Sequence, residues 1–244
     1  AERAAQNAFA SYTPGWFART FGGEARQRDK LERAIVASRG RDKADHVKRQ
    51  AAVDGENGRI AFAQKLVAGD ADALISALDQ FSALGELPFS VDGIDLILVD
   101  GRVVVVVDGL DLEDMPEETI TLLQSGKASI KAMPAGKRIE LHRSAICSAT
   151  VRVALECLSV LPVEDVEILT LTDILDPGTG HITAQPVLYL RLAAQAVAML
   201  NLARAEALAL VERLGGHMEW NRREGFRAID AAAFAIELDP DANA

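Results

Sequence analysis

The chain has 244 residues, 49% apolar and 25% charged, with a net charge of −10, an ordinary globular balance. That length holds one large domain or two small ones with a sizeable core. No apolar run reaches about 18 residues, which excludes a membrane-crossing helix, and no charged segment leads into an apolar one at the start, so no secretory signal is expected. The chain opens on Ala1, which leaves open a segment ahead of it. Heavy use of Ala and Arg is what a GC-rich bacterial genome produces.

The charge is uneven. Residues 1–49 carry 11 Lys/Arg against 6 Asp/Glu, and residues 50–244 carry 15 against 30. A basic end could meet nucleic acid or anionic lipid. A basic solvated arm on an acidic body explains the same numbers, so neither a nucleic acid nor a membrane partner is expected. Aromatic residues are not interleaved along the arm, which argues against single-strand binding.

Taken in order, Thr13 and Pro14 supply a helix start, and Trp16, Phe17 and Phe21 form an aromatic knot closed by Gly22-Gly23. Glu24 to Val67 is helix-rich. Leu31, Ile35, Ala44, Val47, Ala51, Phe62 and Leu66 form a thin, alanine-rich stripe like that of a coiled coil. Gly40, Gly55 and Gly58 weaken it, so one long helix and two helices joined near 54–58 both remain open. Asp70 caps a further helix, Ala71 to Phe81.

From Leu87 the period changes. Leu87 to Val91, Ile94 to Val99 and Val103 to Val107 read as a three-strand meander, with Asp92-Gly93 and Asp100-Gly101 as its turns. Five consecutive valines suit a strand buried on both faces. Asp108 to Glu118 is an acidic loop, Pro116 to Gln124 a short helix, and Lys127 to Met133 a strand. Ser144 to Leu161 is apolar over most of its circumference, with Ser148, Arg152, Glu156 and Ser159 on one narrow stripe, and reads as a central core helix. A strand at 163–172, a loop at 173–180 and a strand at 183–192 follow, Pro186 marking an edge or a bulge. Helices at 193–200 and 203–214 and short strands at 217–220 and 226–229 close the fold, before a frayed tail.

Cys147 and Cys157 are ten residues apart on the central helix, roughly 15 Å at about 1.5 Å per residue, beyond disulfide reach. They read as packing residues in a reducing, cytoplasmic setting. The acidic loop lacks EF-hand spacing, the four histidines lack zinc-site spacing, and no phosphate loop or nucleophile elbow is present. A restriction-type nuclease site fails too, since Val103 to Val107 supplies neither carboxylate nor Lys beside Asp95. No metal, no cofactor and no catalytic residue is therefore assigned. The candidate ligand-binding residues are Arg152 and Glu156 on the polar stripe, with Asp173 and His181 in the following loop. They form a site only if their side chains converge within a few ångströms.

The segments Tyr12–Gly15 (YTPG), Lys131–Pro134 (KAMP), Arg152–Ala154 (RVA), Leu161–Val163 (LPV), Thr179–His181 (TGH) and Gln185–Leu188 (QPVL) together resemble an uncharacterised family of bacterial proteins. That family couples a long charged N-terminal helical segment to an α/β domain. The likeness spans roughly residues 12–230 and departs near 201–218, where an alanine-rich helix replaces an Asp- and Pro-containing stretch. It implies no activity.

The fold expected is α+β: a helical arm over 1–82, then a mixed, mainly antiparallel sheet packed on the central helix over 83–232, then a tail over 233–244. The function expected is a non-enzymatic interaction or scaffold protein that pairs as a homodimer, or with another protein, through the arm. Its alternatives are a small-molecule-binding protein or enzyme using a cleft near the central helix and the 173–181 loop, and nucleic-acid binding through the basic arm.

Overall fold

The computed structural model describes residues 1–15, 23–86, 93–124, 126–175 and 178–238. The aromatic knot at 16–22, the first meander strand at 87–91 and the extreme tail at 239–244 lie outside the described residues. The chain divides into two compact units, Ala1–Gln64 and Lys65–Ala244.

The first unit is helical. Helix α1, Glu2–Ala10, lies against α2, Gly23–Val67, through Arg39, which pairs with Glu2 at 2.8 Å, and Asp42, which accepts the Glu2 backbone N–H at 2.7 Å. Helix α2 runs unbroken for 45 residues through Gly40, Gly55 and Gly58, which answers the question of one helix or two. Its own side chains brace it locally. Gln50 donates to Asp54 at 2.9 Å, Arg59 pairs with Glu56 at 2.8 Å, and Arg28 with Glu24 at 3.7 Å.

In the second unit, helix α3, Ala71–Phe81, is capped by Asp70, whose carboxylate accepts the Ala73 N–H at 3.0 Å. An arm over 1–82 would include this helix. It belongs to the second unit, where Ala73, Leu74, Ala77 and Leu78 are buried at core spacing. Among the described residues the sheet that follows is mixed, mainly antiparallel and six-stranded, in the spatial order Gly93–Val99, Arg102–Asp108, Asp165–Leu175, Ile182–Ala193, His217–Asn221, Gly225–Arg227. Strands β1, Gly93–Val99, and β2, Arg102–Asp108, form a hairpin through Asp100 (φ 50°) and Gly101 (φ 79°), the double positive φ that the Asp-Gly pair predicts. All five valines of β2 are buried.

Strand β2 pairs in parallel with β5, Asp165–Leu175. A parallel pair needs a crossover, and this one holds a hairpin and the central helix. The hairpin joins β3, Glu118–Leu122, to β4, Ala128–Ala132. The helix expected over Pro116 to Gln124 is thus a strand. Thr119, Ile120 and Thr121 are β-branched, and Ile120 faces Ile130 across the pair. Helix α4, Ala135–Val160, buries ten residues and keeps Ser148, Arg152 and Ser159 exposed, as its stripe predicts.

Strand β6, Ile182–Ala193, pairs antiparallel with β5 and carries a bulge: Thr170 faces Leu188 while Leu171 faces Pro186. Helices α5, Ala194–Ala198, and α6, Ala207–Arg213, are followed by strands β7, His217–Asn221, and β8, Gly225–Arg227. Ile146, Cys147 and Val151 of α4 pack with Val187, Leu188 and Leu190 of β6 and Leu210 and Val211 of α6 on one face of the sheet. The other face packs Val104, Val106, Leu169 and Leu171 against Ile229 and Ile236. Residues 233–238, grouped with a tail in the sequence reading, therefore include a core residue: Ile236 is 1% exposed. No described helix is long and apolar enough to cross a membrane.

Candidate functional site

Strand β2 ends at Asp108, beside Leu171 of the parallel β5, which runs on to Leu175, and the carboxyl ends of parallel strands are where ligands settle in open sheets. Gly109 starts the segment leaving β2. Its N–H donates to the Leu171 carbonyl at 2.9 Å, and a Cβ there would meet Ile146 Cδ1 at 2.8 Å. Only glycine lets the acidic segment leave so close to the core.

Beyond it, the Leu110 carbonyl accepts from His142 Nε2 at 2.7 Å and from Thr172 Oγ1 at 3.1 Å. Asp111 Oδ1 accepts the Asp173 N–H at 2.8 Å and stands 3.0 Å from Thr172 Oγ1. Asp111 and Asp114 close a reciprocal capping box on the short turn Leu112–Asp114. Arg138 of α4 donates to the Glu113 and Met115 carbonyls.

Burial pushes the buried His142 below the usual histidine range, against the opposing pull of the Leu110 carbonyl and of Asp111, Asp114 and Glu113. A neutral ring donating through Nε2 fits both its carbonyl partner and its edge-on contact with Phe226 at 5.4 Å. Asp173 is raised by partial burial and then by the charges of Asp111 and Glu113. The donors and acceptors here chiefly hold the acidic segment to the end of β5.

The four candidate residues lie in three places. Arg152 and Glu156 pair at 2.7 Å, and Glu156 Oε2 accepts the Ala83 N–H at 3.4 Å. Arg152 is ten residues beyond His142, roughly 15 Å along α4. Asp173 sits at the β5 end with Asp111, and His181 is exposed on the turn before β6. The turn that Glu156 touches walls an apolar recess of about 480 Å³ between α3 and β1, lined by Ile75, Leu78, Leu84, Ile94 and Leu96 with Asp79 and Asp95. Arg152 and Glu156 are not among its lining residues.

Sequence reasoning missed two polar groupings. His142 keeps helical spacing with Ile146, Ala149 and Val153 and so had to face inward. Glu167, 1% exposed, lies between Val166 and Ile168 in a strand, and a charge at such a position demands a partner. Arg102 supplies it at 2.7 Å, and Arg191 Nε stands 4.0 Å from the other oxygen while its Nη2 pairs with Asp165 at 2.7 Å. Burial, then the Glu167 charge, raises the Tyr189 hydroxyl beside them.

Cys147 and Cys157 are 0% exposed, and burial pushes their thiols up to about 11 and about 12. Such thiols stay protonated and unreactive at neutral pH. Among the described residues no group of three or more His, Cys, Asp or Glu side chains is arranged to hold a metal ion. Comparison with protein-family models, with curated proteins and with solved structures gives no match.

Proposed function

We propose that this is an interaction protein, and that helix α2 is the surface it offers, first of all to a second copy of itself. The observation that carries the reading is how little of that helix is buried among the described residues. Of its 45 residues only Ser38 is buried, and residues 43–61 are exposed without a break. Val36, Val47, Val53 and Ile60 are 69%, 58%, 53% and 49% exposed. Most helix stability in proteins comes from packing an apolar face, and along this stretch little is packed. A helix so long with so little packing leaves room for a second helix, on the side where Ala44, Val47, Ala51 and Phe62 recur.

The test is mass in solution by light scattering across a concentration series, with helicity followed in parallel. The full chain is expected to run above its 26.2 kDa monomer mass. A Val47→Asp variant is expected to return it to the monomer and to lose helical signal on dilution. A monomer at every concentration, with helicity untouched by the substitution, would sink the reading.

A further inference from the structure

Beyond the α2 reading, and wholly within the second unit, we propose that the β3–β4 hairpin is a membrane-docking element. It sets its aliphatic face into the headgroup level of an anionic phospholipid surface.

The hairpin is a sheet of its own, and among the described residues no third strand pairs with it. Ile120 faces Ile130 and Leu122 faces Ala128 across it, so these four share one side, while Thr119, Thr121, Ser129 and Lys131 share the other. A sheet with one wet face normally turns its polar side to water. Here the order is reversed. Ile120, Leu122 and Ile130 are 71%, 76% and 59% exposed, and Thr119 and Ser129 are the half-buried residues. Leu123, 49% exposed, adds a fourth large aliphatic at the turn, where its N–H donates to the Lys127 carbonyl at 2.9 Å. Two strands alone are marginal in water, and a contiguous aliphatic patch on them marks a contact surface.

Charge and composition say which contact. From Lys65 on, the chain carries 14 Lys/Arg against 28 Asp/Glu, yet residues 119–138 hold no Asp or Glu and four of those bases, Lys127, Lys131, Lys137 and Arg138. Residues 119–132 also contain no Trp, Tyr, Phe or Arg, the anchors that protein interfaces favour. Aliphatic side chains beside Lys suit the boundary between headgroups and acyl chains, where a peripheral segment settles about 5–10 Å deep. The hairpin has that reach: Ile120 lies about 10 Å up the strand from Leu123, at roughly 3.3 Å per residue. Glu117 and Glu118 stand at its base. From Glu118 to Leu123 is roughly 17 Å by the same rise, beyond a screening length of about 8 Å. The unpaired strand edges keep the hairpin at headgroup level, where water and headgroups serve their N–H and C=O groups. A helix over Pro116 to Gln124 would not set Ile120 beside Ile130, so this face exists only with the hairpin.

Sedimentation of the full chain with phospholipid vesicles tests this. Vesicles of phosphatidylcholine with about 30% phosphatidylserine are expected to carry down protein that phosphatidylcholine alone leaves in solution, and less of it as salt is raised. Leu122→Asp/Leu123→Asp is expected to lower the bound-to-free ratio about tenfold or more, and Lys127→Gln about fivefold. Urea midpoints of both variants should match the parent, because the substituted positions are exposed. Leu122→Cys carrying an environment-sensitive dye should shift to the blue on the anionic vesicles, Cys147 and Cys157 being buried. Absence of binding to the anionic vesicles overturns the proposal. Binding that ignores both hairpin variants, with no dye shift, belongs to the basic residues 1–49 and overturns it equally. A parent that stays off the vesicles while Leu122→Asp/Leu123→Asp lowers its solution mass gives the face to a second copy instead.

Discussion

Helices α2 and α4 are both far longer than an average helix, yet α2 buries one residue of 45 and α4 buries ten of 26. Their sequences account for the difference. In α4, apolar residues such as Ile146, Cys147, Ala149, Val151, Val153, Ala154 and Cys157 leave only a narrow wetted stripe, so the helix is set by what it packs on. In α2 the large apolar residues are spread around the axis. Leu31 and Ile35 share a side with Val53 and Ile60, while Val47 and Phe62 lie on the opposite side. Its helicity is left to backbone propensity and to pairs such as Gln50 with Asp54. One element type therefore rests on two kinds of support, and each can be removed separately.

The largest expected effect lies in α4. Ile146 is 0% exposed, and Ile146→Ala should lower unfolding stability by about 2–5 kcal/mol. Val53→Ala in α2, at a site already 53% exposed, should change it by less than about 0.5 kcal/mol. Urea unfolding midpoints measure both. Comparable losses at the two positions would show that α2 is as firmly packed as α4 and break the contrast.

Next in size is a pH effect that comes chiefly from α4. Burial raises the thiols of Cys147 and Cys157 from their ordinary 9.0 to about 11 and about 12. Above pH 9 the unfolded chain loses these protons while the folded chain keeps them, so stability falls as pH rises from about 9 towards those values. The slope is about 1.4 kcal/mol per pH unit for each thiol. Thermal unfolding between pH 8 and pH 10.5 should show this decline, and a Cys147→Ala/Cys157→Ala variant should flatten most of it. Tyr189, also raised, acts in the same direction and remains in that variant. An alkaline limb unchanged by removing both thiols would place the effect outside α4.

The contrast also decides what could be read without coordinates. The burial pattern of α4, the double-positive turn at Asp100-Gly101, the buried valines of β2 and the bulge beside Pro186 are each written locally, in spacing or in one residue's stereochemistry. The hairpin at 118–132 was half legible. Thr119 to Thr121 is β-prone, but Pro116 followed by two glutamates is also a good helix start, and only the pairing with Ala128–Ala132 settles it. The polar groupings were barely legible, because they join residues far apart in the chain. His142 meets Leu110 and Thr172, and Glu167 meets Arg102 and Arg191. Such meetings follow from strand order, which no local pattern carries. Nearness in sequence and a shared helix face point to the four candidate residues, and of these the structure pairs Arg152 with Glu156.

The smallest expected effect is the most informative about α2. Glycine inside a helix is worth about 1 kcal/mol less than alanine, and a Cβ added at Gly55 or Gly58 meets nothing within 4 Å. On a lone, solvated helix, Gly55→Ala and Gly58→Ala should each stabilise by about 1 kcal/mol, seen as added ellipticity at 222 nm and slower amide exchange over residues 43–61. If a second helix approaches closely over that side, the same methyl groups stand between the two backbones. The solution mass should then fall even as the single chain becomes a better helix. Stability and mass rising together would mean that pairing uses another side of α2, where Val53 and Ile60 lie. Opposite movements would put the contact along Ala51, Gly55 and Gly58.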